Sequence, residues 1–277
     1  MTMKVGFIGI GNMGASLVRG AIRSGTIGHE NIVIFDIDPD KTKKLSKETG
    51  VKIASGSAEL ASECGCIVLA VKPVIVQNVL EEIRNYITDN KIIVSIAAGV
   101  TISSLKSVIG EYKKVARVMP NLPVSVGEGM TLVCFDENMQ GNEKKFVKSL
   151  FEGSGKVEEL EESLMSEVIS LTGSSPAYVF MMIEAMADGA VLQGIPRALA
   201  YKLAAQAVLG SARMVLETGL HPGILKDQVC SPAGTTIAAV NSLEKSGFRN
   251  SLIEAMKECT RRAKEICHES KGGQANE

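Results

Sequence analysis

The run FIGIGNMG, residues 7–14, decides how the first half of this chain is read. It places Gly9, Gly11 and Gly14 in GxGxxG spacing, directly after the β-rich run KVGFIG (4–9) and at the start of a helical pattern over 12–24. Gly9 permits a tight turn, and Gly11 lets the backbone approach a pyrophosphate. Gly14 lets helix and strand pack closely, so that the helix N-terminal amides face the anion. Alone the spacing is weak evidence. Here the unit runs on into a second strand, NIVIFD (31–36), ending in Asp36, 22 residues after Gly14, where a ribose-binding acid belongs. The reading is a dinucleotide site rather than a glycine-rich turn without a ligand.

The alternation continues outward. CIVLAV (66–71), KIIVSIA (91–97), KVARVM (114–119) and GMTLVCF (129–135) are near-continuous apolar runs, as in strands buried on both faces. Helical patterns over 40–49, 74–86 and 102–109 lie between them. Repeated strand–helix–strand units predict an α/β, Rossmann-like, doubly wound and mostly parallel sheet over residues 1–162.

From Ser163 the strand signal stops. Five helical runs punctuated by Gly and Pro follow. The first, SPAYVFMMIEAMADGAVLQG (175–194), opens with a Ser cap and a Pro at the first helical position. An all-α domain over 163–268 and a polar tail over 269–277 complete the expected division. Helices 176–194 and 196–218 are rich in Ala, Gly and Met, with few charges on any face. Such helices are buried on most sides, so a homodimer or higher homo-oligomer formed through this domain is expected.

Composition narrows the function. A net charge of −1 over 277 residues gives no electrostatic case for nucleic acid or anionic lipid. Trp is absent and aromatics are 4%, which argues against base-stacking surfaces. Cysteines at 64, 66, 134, 230, 259 and 267 form no CxxC pair, so no metal site is expected. They read as reduced core residues of a cytoplasmic protein. The start MTMKVGFIGIGNMG lacks the layout of a signal peptide. The longest apolar region, 177–192, is interrupted by Glu184 and Asp188, so no membrane span is expected.

Lys72 in LAVKP (69–73), and Ala97 and Ala98 in SIAAGVT (95–101), lie just past the carboxyl ends of predicted strands. Open α/β sheets bind ligands along that edge.

A nicotinamide cofactor moves hydride, and the acceptor sets what else is needed. Carbonyl reduction needs a proton donor. His29 falls in a turn, His268 near the C-terminus, and His221 in GLHPG reads as a helix start. A protonated imine instead yields an amine that already holds its proton, so an oriented hydroxyl suffices. CSPAGTT (230–236) offers Ser231, Thr235 and Thr236, with free amides for a carboxylate. The same residues read equally well as a capped helix start.

LTGSSPAYVFMMIEAMADGAVLQGIPRALA (171–200) and HPGILKDQVCSPAGTTIAAVNSLEKSGFR (221–249) resemble the pyrroline-5-carboxylate reductase family. VGFIGIGNMG, LAVKP, SIAAGVTI and RVMPNLPVSVGEG resemble it in the same order, so the likeness spans the chain except its tail. The resemblance implies hydride transfer from NADH or NADPH to the C=N bond of 1-pyrroline-5-carboxylate. The product is L-proline, and the step is the last in proline biosynthesis. It implies that Thr236 holds the imine nitrogen, while Ser231 and the amides of Gly234, Thr235 and Thr236 hold the carboxylate. It implies cofactor contacts at Gly9, Ile10, Gly11, Asn12, Met13 and Gly14, at Ala70, Val71, Lys72 and Pro73, and at Ile96, Ala97, Ala98 and Asn121.

Three positions depart from the family's pattern. Leu122 stands where its loop often has Thr, and Ser57 where many members have an Asn near the adenosine. FDIDPDK (35–41) differs from the Asn-Arg or Ser-rich runs of many NADPH users. Asp36, with Asp38 and Asp40 behind it, favours NADH; Lys41, Lys43 and Lys44 follow on a helix and carry less weight.

Two rival readings stand beside this one. A β-hydroxyacid dehydrogenase needs a Lys-x-x-Asn early in the helical domain, and TGSSPAYVFMM (172–182) has no lysine. Against a non-catalytic NAD-sensing protein stand the Ser231, Thr235 and Thr236 hydroxyls.

Overall fold

The structure is a computed structural model and describes residues 3–272, the side chains up to residue 266. Its first half alternates strand and helix: β1 (Val5–Ile8), α1 (Asn12–Arg23), β2 (Ile32–Phe35), α2 (Pro39–Thr49), β3 (Lys52–Ile53) and α3 (Ser57–Glu63). Then come β4 (Cys66–Leu69), α4 (Pro73–Ile83), β5 (Ile92–Ser95), α5 (Ile102–Ile109) and β6 (Lys114–Met119). β7 (Gly129–Phe135), α6 (Gly141–Glu152) and β8 (Gly155–Glu159) complete a sheet of order β3-β2-β1-β4-β5-β6-β7-β8.

The first six strands are mutually parallel. β7 runs antiparallel to β6 and parallel to β8. The link from β6 to β7 holds only a 3-10 turn, Leu122–Val126. That is too short for a parallel crossover, so the chain reverses. Strand order also reverses about β1: β2 and β3 lie to one side, β4 to the other. That switch opens a crevice at the carboxyl ends of β1 and β4.

Alternate strand residues point to opposite faces. Phe7, Val68 and Val94 join one buried cluster with Leu17 of α1, Leu45 of α2 and Phe151 of α6. Ile8, Ile67 and Ile93 join a second with Leu60 of α3, Leu80 of α4 and Leu105 of α5. Both faces are covered, which is why these strands read as unbroken apolar runs. Each fully buried Leu, Ile or Phe contributes about 1.5–3 kcal/mol.

By packing, the described residues divide into a sheet unit, 3–173 joined by 260–272, and a helical unit, Ser174–Cys259. Residues 162–173 form a 3-10 turn (Glu162–Leu164) and a π-helical turn (Ile169–Gly173). Met165, fully buried in the second sheet cluster, holds this segment to the sheet unit.

The helical unit contains α7 (Ser175–Leu192), α8 (Arg197–Thr218), α9 (Pro222–Val229), α10 (Thr235–Lys245) and the first part of α11 (Phe248–Gly272). α11 continues through residues 269–272 of the expected tail, and 273–277 lie outside the described residues. Ser175, expected to cap α7, is instead the first residue of that helix. Ser174 occupies the cap position without a capping bond, and its Oγ accepts from Cys259 Sγ at 3.2 Å.

In α7 and α8 only Ala187, Ala200 and Ala204 are buried, while Met181, Leu192 and Leu216 are 68%, 89% and 81% exposed. Cys64, Cys66 and Cys134 are core residues, but Cys230 and Cys259 are only half-buried, which corrects the reading of all six as core. The Cys267 side chain lies outside the described ones. Among the described residues no helix is long and apolar enough to cross a membrane.

Candidate active site

The turn after β1 is shaped by two glycines. Gly9 has φ +98°, and a Cβ there would lie 2.5 Å from the Ala70 carbonyl oxygen. A Cβ on Gly14 would lie 2.2 Å from the Gly9 carbonyl oxygen, so α1 starts hard against the turn. Gly11, by contrast, faces open space. It occupies the cap position of α1 with no side-chain cap, and the first amide bonded there is Ala15 N–H, donating to Gly11 O at 2.9 Å. The N–H groups of Asn12, Met13 and Gly14 have no acceptor among the described residues. Three orphan donors at the positive end of a helix, with no acid in its first turn, fit a pyrophosphate.

Backbone bonds stitch this turn to its neighbours. Gly9 N–H donates to Phe35 O at 2.8 Å, Ala70 N–H to Ile8 O at 2.8 Å and Ile96 N–H to Leu69 O at 3.1 Å. Gly9–Gly14, Ala70–Pro73 and Ile96–Ala98 are thereby aligned along one sheet edge. Asp36 follows β2 and Asn121 follows β6 at the same edge. Lys72 is exposed at the cap position of α4, and Pro73 begins that helix.

Two of the expected cofactor residues have structural partners already. Asn121 donates from Nδ2 to Thr172 O at 3.0 Å and accepts the Met130 N–H at Oδ1 at 2.9 Å. Its amide straps the loop after β6 to β7 and to the π-helical turn. Asp36 accepts the Ile10 N–H at Oδ2 at 2.6 Å and the Asp38 N–H at Oδ1 at 2.9 Å. A carboxylate has about four acceptor positions, so two remain for ribose hydroxyls.

Lys41, which the sequence ranks below the strand-end acid, lies beside it. The first turn of α2 carries its Nζ back to 3.4 Å from Asp38 Oδ2 and 3.9 Å from Asp36 Oδ1. The Asp38–Lys41 i,i+3 spacing was the available signal. A cleft of about 550 Å³ opens beside Ile10–Met13, lined also by Arg19, Lys41, Lys44 and Ser125. Arg19 is held by Glu48 through two 2.7 Å bonds.

In the helical unit, α10 starts at Thr235 with Gly234 in the cap position, and no side chain caps it. The capped-helix alternative for CSPAGTT is therefore not realised. Gly234 N–H donates to Ser231 O at 3.0 Å, closing a turn in which Ala233 has φ +55°. Ala233 is the one non-glycine residue with positive φ among those described, and its alanine side chain gave no sign of it in the sequence. The N–H groups of Thr235, Thr236 and Ile237 have no acceptor among the described residues. Nor do the Ser231, Thr235 and Thr236 hydroxyls have a protein partner there. Ser231 and Thr235 are exposed, Thr236 half-buried. This turn thus presents three hydroxyls and three amides, a neutral cradle for a small anion. His221 has the expected helix-start role: it caps α9, its Nδ1 accepting the Gly223 N–H at 3.0 Å.

Comparison with known proteins agrees with both halves. A family profile for pyrroline-5-carboxylate reductase dimerisation matches residues 162–266, and one for NADP oxidoreductases, coenzyme F420-dependent, matches residues 4–99. The chain is 47% identical to the pyrroline-5-carboxylate reductase of Escherichia coli (strain K12), over 96% of this chain and 99% of that protein. A solved pyrroline-5-carboxylate reductase from Coxiella burnetii superposes with TM-score 0.90 at 32% identity, covering 96% and 99% of the two chains. The Plasmodium falciparum pyrroline carboxylate reductase, solved with NADP bound, gives TM-score 0.86 at 33% identity over 96% and 98%.

Proposed function

Since this chain belongs to the pyrroline-5-carboxylate reductase family, we infer that it transfers hydride from NADH or NADPH to the C=N bond of 1-pyrroline-5-carboxylate, giving L-proline. The observation that carries the reading is the uncapped start of α10, where the Ser231, Thr235 and Thr236 hydroxyls and three amides are without protein partners.

In the reading proposed here, the Thr236 hydroxyl oxygen accepts from the protonated imine N–H and so orients it. Ser231 and the amides of Gly234, Thr235 and Thr236 hold the substrate carboxylate, with Gly234 N–H shared with Ser231 O. The orphan amides of Asn12, Met13 and Gly14 hold the cofactor pyrophosphate, Gly11 giving it room and Gly9 the turn. Ile10 positions Asp36 for the ribose. Ala70, Val71, Lys72 and Pro73, with Ile96, Ala97, Ala98 and Asn121, line the same edge towards the nicotinamide. When bound, the reduced nicotinamide supplies the hydride. Carbon takes the hydride, and no side chain need deliver a proton to nitrogen, because the substrate nitrogen enters protonated.

The protein acts as a homo-oligomer, as its dimerisation domain indicates. The exposed apolar faces of α7 and α8 support an assembly of two or more copies through the helical unit. The net charge of −1 and the scarcity of aromatics support a protein without a nucleic-acid partner, and the free cysteines support a cytoplasmic one.

A single spectrophotometric assay tests the reaction. Purified protein with 1-pyrroline-5-carboxylate and NADH or NADPH should consume reduced cofactor and form proline. No consumption with either cofactor overturns the assignment.

A further inference from the structure

The cofactor edge carries a charge arrangement that bears on which dinucleotide is used. Asp36 is not free to turn away. Both its oxygens accept backbone amides, Ile10 N–H at 2.6 Å and Asp38 N–H at 2.9 Å, and its side chain is 10% exposed. Its negative charge is thus fixed one hydrogen bond from the phosphate-binding turn. Asp38 is committed as well, capping α2 by accepting the Asp40 N–H at 3.1 Å.

Of the cations lining the cleft, the one paired with these two carboxylates is Lys41. It lies 3.9 Å from Asp36 and 3.4 Å from Asp38, and it also lines the cleft that borders Ile10–Met13. Its side chain is half exposed, on a flexible four-carbon stem that can swing without disturbing α2.

We propose that Lys41 is a latent ligand for a 2′-phosphate, held in reserve by its pairing with Asp36 and Asp38, so that the chain uses NADH at least as well as NADPH. The proposal rests on the nicotinamide reading above and goes beyond it to the choice between the two cofactors. With Asp36 charged, a ribose diol finds two free acceptor positions, whereas a 2′-phosphate of charge about −1.5 to −2 meets a fixed carboxylate. With that charge removed, Lys41 keeps only the exposed Asp38 as partner, and a dianionic phosphate competes well against a single carboxylate.

The test is a binding titration on the full-length protein without substrate, following nicotinamide fluorescence with NADH and with NADPH. The wild type should bind NADH at least as tightly as NADPH. Asp36→Ser should move the affinity ratio at least ten-fold towards NADPH, and adding Lys41→Ala should remove most of that gain. Because Asp36 also holds the Ile10 N–H, Asp36→Asn serves as the control. It keeps an acceptor for that amide, loses the charge, and should shift the ratio in the same direction. A wild-type preference for NADPH, an unmoved ratio in both Asp36 variants, or a shift that survives Lys41→Ala overturns the proposal. Binding of neither cofactor overturns the nicotinamide reading itself, and is told apart from those results by the absence of any titration.

Discussion

Lys106 Nζ lies 2.6 Å from Asp136 Oδ2, and neither side chain is more than 5% exposed. The pair joins α5 to the end of β7, beside the start of β6, with Glu111 adding a second carboxylate at 3.1 Å. Burial pulls the Lys106 pKa down, but the bonds to Asp136 and Glu111 outweigh it and hold the ammonium above the ordinary value of 10.5. A lysine pKa raised by folding stabilises below its unfolded value, and that stabilisation fades as pH climbs through the folded one. Removing one partner of a buried pair leaves the other uncompensated. Lys106→Met should therefore lose about 3–5 kcal/mol at neutral pH. Urea titration of both proteins from pH 7 to 11 checks it; the gap should narrow only at the alkaline end.

Thr236→Val should lower kcat by at least ten-fold and leave the dissociation constant for NADH unchanged. One positioned hydrogen bond is worth roughly 1–3 kcal/mol. Steady-state kinetics beside a cofactor titration separates the two effects. Full kcat/KM in the valine variant would remove Thr236 from the mechanism.

Ala233 offers a stability experiment that the sequence alone did not suggest. Ala→Gly ordinarily costs about 0.5–1 kcal/mol through the unfolded chain. At φ +55° the alanine already bears roughly 1–2 kcal/mol of strain. Ala233→Gly should thus be neutral or stabilising by up to about 1 kcal/mol. Ala233→Val should lower the melting temperature and raise KM for the imine. Melting curves and one saturation plot decide it.

Leu209 and Leu216 are 54% and 81% exposed and lie two turns apart on α8. At micromolar concentration light scattering should detect no monomer of the wild type. The double variant Leu209→Glu/Leu216→Glu should sediment as a smaller species while its circular dichroism persists. An unchanged mass would place the interface off this face.

The central strands were legible because both their faces are buried, leaving unbroken runs such as KIIVSIA. The edges were not. β3 is two residues long and exposed, and β8, GKVEE, has no buried residue, so neither carries an apolar signature. The reversal at β7 depends on the length of one connection, which periodicity does not report. At the site, residue types pointed to the glycine turn, Asp36 and the α10 start. Spacing could not tell that Asn121 is a strap between loops, that Lys41 folds back on Asp36, or that Ala233 adopts a left-handed backbone.

The return of the chain from Thr260 to the sheet unit has a consequence for where it can be divided. Ala263 is buried, and Lys264 pairs with Glu167 at 2.9 Å, so the segment after β8 is held by residues that follow the whole helical unit. The sheet unit is therefore discontinuous in sequence. A fragment ending at Gly173 would carry all eight strands and still lack part of its own packing.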